Sequence, residues 1–139
     1  MKFLHLNFLP RSADLALLTL RLWYGLAMLM LHGRMKLAGF SSMTGTFPDP
    51  LGVGHTPSLV LVVMAEVIGS ALLVFGLFTR VAALMLAIDL GVAFWIAHGH
   101  ALTGSGNGEL PFLFLGAFVA LFFSGGGKFA LDAAIGAKG

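Results

Sequence analysis

Four long apolar runs, separated by polar or glycine-rich stretches, dominate the chain and fall at about 13–31, 59–78, 81–97 and 109–124. A helix of about 20 apolar residues, at ~1.5 Å per residue, crosses a hydrocarbon core ~30 Å thick. The first three runs approach this length. The fourth is short, and we expect it to extend at both ends and to be shielded by its neighbours. The pattern predicts an all-α bundle of four transmembrane helices in a single membrane domain, 1–139.

The stretches between these runs predict loops of unequal length. The long loop, His32–Pro57, joins helices one and two and contains Phe47-Pro48-Asp49-Pro50-Leu51-Gly52, whose prolines and glycine cannot continue a helix. We expect it to lie on the surface of the bundle or among the lipid headgroups. Thr79-Arg80 predicts a tight turn, His98–Glu109 predicts a polar loop, and Gly125-Gly126-Gly127 predicts the end of the fourth helix.

The composition narrows the class of protein. Hydrophobic residues make up 58% of the chain and charged residues 10%, which excludes an ordinary soluble domain and leaves no room for a separate catalytic one. There is no cysteine, so disulfide exchange, Cys–zinc sites and thiolate catalysis are excluded within this chain. Any redox activity then requires a bound cofactor or a partner subunit. The net charge of +2 comes from scattered helix-end residues and predicts no nucleic-acid partner.

Lysine and arginine fall unequally at the two ends of the predicted helices. Arg34 and Lys36 lie on one side, and the other side carries Lys2, Arg11, Arg80, Lys128 and Lys138. The positive-inside rule then places both termini in the cytoplasm and the long loop outside. We therefore expect a multi-pass protein of the cytoplasmic (inner) membrane, surrounded by lipid.

Three ionisable residues, Arg21, Glu66 and Asp89, interrupt the first three apolar runs. A charge in the middle of a spanning helix costs roughly 2.5–3.5 kcal/mol on insertion scales, so it usually faces protein, pairs, and marks a functional site. The distances of the three residues from the predicted outer helix ends, measured along the membrane normal, differ by no more than about 5 Å. The sequence therefore predicts a buried cluster in which Arg21 forms a salt bridge with Glu66 or Asp89.

The same three residues are the candidate catalytic residues. Two carboxylates facing one arginine leave a charge without a partner, and desolvation and repulsion should keep one carboxyl protonated near neutral pH. A protonatable buried acid suits proton transfer or hydrogen bonding to a quinone. Alternatively, an Arg21–Glu66 pair could serve only to fix the packing of the helices.

Further polar residues are predicted at the outer end of the bundle. Positions eleven apart on a helix differ by only about 20° in direction. His32 follows Arg21 at this spacing and His100 follows Asp89, while His98 and Glu109 flank the same loop. We take these four as candidate binding residues at the outer end of a line of polar side chains that runs from the buried cluster to the surface. Ligation of haem or a metal ion by His32 and His98 is the less favoured interpretation, because no fixed ligand spacing occurs.

Several motifs, in this order and spacing, resemble those of the DoxX family of small four-helix membrane proteins. They are Leu20-Arg21-Leu22, His32-Gly33, Lys36-Leu37, the Phe47–Gly52 segment, Glu66-Val67-Ile68-Gly69, Gly76-Leu77-Phe78-Thr79-Arg80, Gly125-Gly126-Gly127 and Leu131-Asp132. The resemblance implies that seven residues of this chain match positions that recur in the family: Arg21, His32, Lys36, Glu66, Arg80, His98 and Glu109. Asp89 departs from the apolar residue that the resemblance implies.

The resemblance also implies an oxidoreductase or quinol-oxidase subunit. Our leading hypothesis is a membrane subunit of a redox complex, which binds a quinone or another lipophilic molecule at the Arg21, Glu66 and Asp89 cluster and contacts other membrane or redox subunits. The alternative is a non-enzymatic structural or assembly subunit. A small transporter is a third interpretation. It is less favoured, because the chain lacks the inverted repeats that are common in transporters.

Overall fold

The computed structural model describes Leu4 and residues 11–136, and in this part of the chain all regular secondary structure is helical, with no strand. The amphipathic start expected from the sequence, including Lys2, and the terminal Lys138 lie outside the described residues. The helices are α1 (Ala13–Ala38), α2 (Phe40–Met43), α3 (His55–Phe75), α4 (Thr79–Ala97), α5 (Glu109–Ser124) and α6 (Leu131–Ala134).

Helix α1 is longer than the sequence predicted. Ser12 caps its start, because the Oγ atom accepts a hydrogen bond from the Leu15 amide at 3.2 Å. The expected end at Leu31 is wrong: a π-helical turn, Leu29–Gly33, carries the helix through the His-Gly dipeptide to Ala38. Position 33 requires a glycine because its backbone packs directly on α3. A Cβ atom there would lie 2.7 Å from the Glu66 carbonyl oxygen.

Helix α3 ends in a turn that needs glycine. Gly76 adopts the left-handed conformation at φ 70°, and a Cβ atom there would lie 2.8 Å from Cζ of Arg21. The predicted bounds of α3, 59–78, are wrong, because the helix begins at His55 and the Gly76 turn ends it at Phe75. Helix α4 then begins at Thr79, two residues earlier than predicted, so that the turn precedes Thr79-Arg80, and α5 has the predicted bounds.

The four long helices form an up-and-down bundle, in which each packs on its neighbour in sequence and α5 returns to α1. Their shared core consists of Met28, Leu73, Ala82, Ala83, Leu86, Leu90, Phe114, Phe118 and Leu121. We call the two ends of the bundle the tail end and the loop end. The tail end holds the start of α1, the Gly76 turn and the segment 125–134; the loop end holds the segments 39–54 and 98–108.

Three of the described helices, α1, α3 and α4, are long and apolar enough to cross a membrane. Helix α5 has 16 residues and is shorter. Large apolar side chains on the outside of the bundle are exposed, among them Trp23, Phe75, Ile88 and Phe123. An outward-facing apolar surface of this kind is expected where lipid, and not water, surrounds the helices.

Candidate ligand cavity at the loop end

A cavity of about 530 Å³ lies at the loop end, along the outer side of α3 and α4. Its walls are largely apolar, and four ionisable side chains, those of Lys36, Glu66, Asp89 and His98, converge on it. No residue of α5 lines it, and α1 contributes one residue, Lys36. The lining comprises Lys36, Phe47, Pro48, Pro50, Leu51, Ser58, Leu61, Val62, Met64, Ala65, Glu66, Met85, Ile88, Asp89, Leu90, Val92, Ala93, Ala97 and His98.

Lys36 and Glu66 form the central ion pair of this cavity. The Lys36 Nζ atom donates to both carboxylate oxygens of Glu66 at 2.7 Å, and only 7% of the Glu66 side chain is exposed. Glu66 lies in a π-helical turn of α3, Met64–Gly69. Such turns are rare and frequently occur at functional sites, since the wider turn redirects the side chains that it carries.

Asp89 lies on α4 and faces the same cavity. Its side chain is half-buried, and it has no hydrogen-bond or ion-pair partner among residues 11–136. The charges that act on it are those of Glu66 and Lys36. The two carboxylates therefore share one lysine, which is already engaged with Glu66.

His98 completes the polar groups of the cavity from the end of α4. Its Nδ1 atom lies 2.6 Å from the carbonyl oxygen of Ala93, and because a carbonyl can only accept, Nδ1–H is the donor. This contact fixes the orientation of the ring. In the neutral imidazole, Nε2 is then the hydrogen-bond acceptor that is left for a ligand.

The loop before α3 covers the cavity with Phe47, Pro48, Pro50 and Leu51. Asp49 holds this loop in place, because its carboxylate accepts hydrogen bonds from Ser58 Oγ at 2.8 Å and from the amides of Val53 and Gly54. The bond from Ser58 contributes most to lowering the pKa of Asp49 below its ordinary value. The loop thus contacts the bundle through a defined network, as well as through its apolar side chains.

Arg21 is not part of this cavity, and the predicted salt bridge to Glu66 or Asp89 is wrong. The arginine is 1% exposed at the tail end. Its guanidinium donates to the carbonyl oxygens of Leu73 at 3.1 Å, Gly126 at 2.7 Å, Val74 at 3.3 Å and Phe129 at 3.4 Å. It therefore bonds to two carbonyls at the end of α3, of which that of Leu73 also accepts from the Gly76 amide, and joins them to the segment that follows α5.

The error in the predicted cluster has a geometric cause. The predicted depth of Arg21 assumes that the first helix ends at Leu31, whereas α1 continues to Ala38. Arg21 and Lys36 are separated by roughly 22 Å along the helix at 1.5 Å per residue, so the two cations of α1 serve opposite ends of the bundle. The sequence pattern places Lys36 in the outer loop, whereas the structure places it in the last turns of α1. The signal for its true role was present in its spacing, since it follows Gly33 on the face that meets α3.

Asp132 is a residue of the tail end that sequence reasoning did not assign to a site. Its carboxylate accepts from the amides of Phe78 and Thr79 at 2.7 and 2.8 Å, and so caps the start of α4 from a distant segment. Burial raises the pKa of Asp132, but the bonds from Thr79 and Phe78 and the charge of Arg21 outweigh it and lower the pKa overall. No sequence signal pointed to this cap, because the predicted helix began at position 81 and only the structure shows that it begins after Phe78, with no capping side chain of its own.

The remaining candidate residues surround the loop end without lining the cavity. His32 is half-buried and packs edge-on against Phe114, with ring centres 5.8 Å apart, where the charges of Lys36 and Glu66 act on it. His100 and Glu109 are exposed. Of the residues predicted, Glu66, Asp89 and His98 are thus brought together. No group of three or more acidic or histidine side chains that could hold a metal ion occurs in the described part of the chain.

Comparison with known proteins identifies relatives of the chain. The family model described as DoxX matches residues 16–99, which include Lys36, Glu66, Asp89 and His98. A protein of Haemophilus influenzae, described as uncharacterized, is 38% identical over 114 residues, a match that covers 76% of this chain and 80% of the relative. No solved structure matches the chain.

Proposed function

This chain belongs to the DoxX family and is an integral membrane protein, and from that premise we propose that it is a subunit of a redox complex that binds a quinone or a similar lipophilic molecule in the loop-end cavity. One observation carries the proposal. Ionisable side chains from α1, α3 and α4 converge on a largely apolar cavity of about 530 Å³. A few polar groups within apolar walls are the usual composition of a small-molecule site.

The chemistry of the lining fits a quinone ring. A quinone carbonyl accepts hydrogen bonds, which Lys36 and a protonated Asp89 can donate. A quinol hydroxyl donates hydrogen bonds, which a carboxylate or Nε2 of His98 can accept. The apolar side chains of α3 and α4, such as Leu61, Met85 and Ile88, would line the path of an isoprenoid tail. The site therefore offers partners to both redox states of the ligand.

In this proposal the chain binds and orients the ligand and exchanges protons with it. Reduction of a quinone consumes two electrons and two protons, and this chain contains no cysteine to carry electrons. The electrons would come from a partner subunit. Asp89 would donate or accept protons at the ring, Glu66 would fix Lys36, and His98 would connect the site to the loop end.

We further propose that all four long helices span the cytoplasmic (inner) membrane, with the tail end in the cytoplasm and the loop end outside. Arg80 and Lys128 lie at the tail end, as does Arg11, whereas Arg34 and Lys36 lie toward the loop end. This distribution supports the orientation under the positive-inside rule. The cavity would then lie in the outer half of the membrane, next to lipid, and could be reached by a molecule dissolved in the bilayer.

A structural or assembly subunit without activity is the second candidate function. It is favoured by the bidentate Lys36–Glu66 bond, which satisfies both groups without a ligand, and by Arg21, whose partners within the described part of the chain are all backbone carbonyls. Under this hypothesis the polar groups fix the packing of the helices, and the cavity has no cognate ligand.

The test compares the quinone content and activity of matched variants. The protein, with its co-purifying partners, is extracted in a mild non-ionic detergent, and bound quinone is measured by solvent extraction and chromatography. We expect a quinone in the wild-type preparation. We expect Glu66→Gln, which keeps the shape of the side chain but removes the negative charge that fixes Lys36, to assemble normally and to lose partner-dependent quinone reduction.

Glu109→Gln is the matched control, because Glu109 is exposed and does not line the cavity. It should retain both quinone and activity. Full activity of Glu66→Gln, together with a purified complex that contains no quinone, would overturn the redox proposal and leave the structural subunit as the better hypothesis.

A further inference from the structure

The charges of the loop-end cavity do not balance. Glu66 and Asp89 are two carboxylates, and Lys36 is the single lysine or arginine among the lining residues. Lys36 bonds to both oxygens of Glu66 at 2.7 Å, which leaves Asp89 without a counter-ion in the described structure. With both acids ionised, the cavity would carry one net negative charge next to apolar walls.

The groups facing Asp89 from each neighbouring element are few. Glu66 comes from α3, Lys36 from α1, and His98 from the end of its own helix. Helix α5 packs on α4 but contains no ionisable residue from Leu110 to Ser124. A neutral His98 adds no positive charge. Asp89 can therefore be neutralised in two ways: by a proton, or by a cation that enters the cavity.

We infer that this cavity binds lipophilic organic cations, and that a cation displaces the proton of Asp89 when it enters. The reaction balances as Asp89–COOH plus cation giving the Asp89 carboxylate–cation pair plus one released proton. The apolar lining excludes strongly hydrated metal cations, because it offers few oxygen ligands to replace their water. An organic cation whose charged centre is enclosed by apolar groups can pack against the apolar lining and also pair with the Asp89 carboxylate.

The volume and position of the cavity agree with such a ligand. Sites for drug-sized molecules typically enclose about 300–1,000 Å³, and this cavity encloses about 530 Å³. It lies on the outer side of α3 and α4, where Leu61, Met64 and Ile88 are exposed. A lipophilic cation that partitions into the membrane could enter from this side. The inference uses the cavity of the proposed function but does not require that a quinone binds there.

The experiment uses two ions of the same shape and opposite charge, tetraphenylphosphonium and tetraphenylborate. Binding of each radiolabelled ion to the full chain in non-ionic detergent is measured by equilibrium dialysis against protein-free micelles. We expect saturable binding of tetraphenylphosphonium that tightens by up to about tenfold per pH unit while Asp89 is protonated in the free protein. In weakly buffered solution, about one proton should be released per cation bound.

Asp89→Asn separates the charge from the shape of the site. It should weaken binding of tetraphenylphosphonium at least tenfold and abolish its pH dependence, while binding of tetraphenylborate is unchanged or tighter. Glu109→Gln should bind both ions as the wild type does. Comparing each ion between variants removes the unequal partitioning of the two ions into micelles.

Equal loss of both ions in Asp89→Asn, or binding of tetraphenylphosphonium without pH dependence or proton release, would overturn the inference. If Asp89→Asn does not fold, the pH dependence and the proton release of the wild type decide the question alone. The quinone content of the same preparation is measured separately. Cation binding is then measured after any bound quinone has been removed by washing in detergent, because the two ligands would occupy the same cavity. Failure of the quinone-free protein to bind the cation would refute this inference, whereas the quinone content of the unwashed preparation tests the proposed function.

Discussion

The Nζ atom of Lys36 lies 2.7 Å from each carboxylate oxygen of Glu66, and this bond ties the end of α1 to the middle of α3. It gives the loop-end cavity a fixed cation and leaves Asp89 as an acid with no ion-pair partner among residues 11–136. The tail end has its own arrangement, in which Arg21 satisfies backbone carbonyls and Asp132 caps α4. The two ends can therefore be tested independently.

Replacing Lys36 by methionine should destabilise the fold, because it leaves the nearly buried Glu66 carboxylate without a partner. Removal of one member of a buried pair costs about 3–5 kcal/mol, and we expect the lower end because 22% of the Lys36 side chain is exposed. The double variant Lys36→Met with Glu66→Met should recover much of this loss. Thermal unfolding in detergent measures the effect, with the exposed Arg34→Met as control; simple addition of the two single losses would show that the residues are not coupled.

Arg21→Leu should also destabilise the protein, because it removes the guanidinium donor from four carbonyl oxygens, of which that of Leu73 keeps a second donor, the Gly76 amide. Addition of Glu66→Leu should not rescue it, since the two residues lie at different levels of the bundle and distant sites behave additively. Arg21→Lys should recover little, because an ammonium group lacks the planar fork that reaches several carbonyls. Thermal midpoints of the single and double variants decide the matter, and a rescue by Glu66→Leu would contradict the observed geometry.

Gly33→Ala should separate α1 from α3, since its Cβ atom would lie 2.7 Å from the Glu66 carbonyl oxygen. Overpacking of this kind typically costs about 1–3 kcal/mol. Gly116→Ala is the matched control: a Cβ atom there would meet nothing within 4 Å, so improved helix propensity should leave stability unchanged or higher. Thermal unfolding of both variants tests the prediction, which would be wrong if they behaved alike.

The stability of the tail end should depend on acid through Asp132. Its pKa is lower in the folded protein than its ordinary value, so its contribution to stability is complete above the unfolded pKa of about 4 and is lost as the pH falls through the folded pKa. Asp132→Asn should therefore be less stable than the wild type at neutral pH, and the difference should shrink on acidification. Thermal midpoints from about pH 6 to pH 3 measure this; a constant difference would argue against a role for the ionised carboxylate.

The proposed orientation predicts the outcome of reporter fusions. Reporters after Thr79 and after Lys138 should be active as cytoplasmic fusions, and a reporter at Asp49 should be active as an external one, because positive charge collects at the tail end. Paired enzymatic reporters, one active on each side of the membrane, give the readout. An Asp49 reporter in the cytoplasm would reverse the orientation and place the cavity in the inner half of the membrane.

The sequence alone predicted the helical fold and the positions of the buried acids. Apolar runs near the length of a bilayer predict helices because an unpaired backbone cannot remain in lipid, and these predictions depend only on local composition. Glu66 and Asp89 stand out for the same reason: a polar residue in such a run requires a partner or a ligand. His98 was instead predicted from its place at the start of the polar loop that follows the third run. The chain's membership of the DoxX family followed from motif order and agrees with the family match over residues 16–99.

Only the tertiary structure decided which cation meets which acid. Pairing depends on relative depth, and the unforeseen continuation of α1 to Ala38 placed Lys36, and not Arg21, beside Glu66. Arg21 found its partners among backbone carbonyls, which the sequence does not distinguish from one another. The Asp132 cap and the contact at Gly33 likewise join segments that are distant in the chain. They form because the free backbone groups at a helix end need hydrogen-bond partners, and because closely packed helices need small residues where they touch. No local pattern in the sequence specifies which distant residue meets either need.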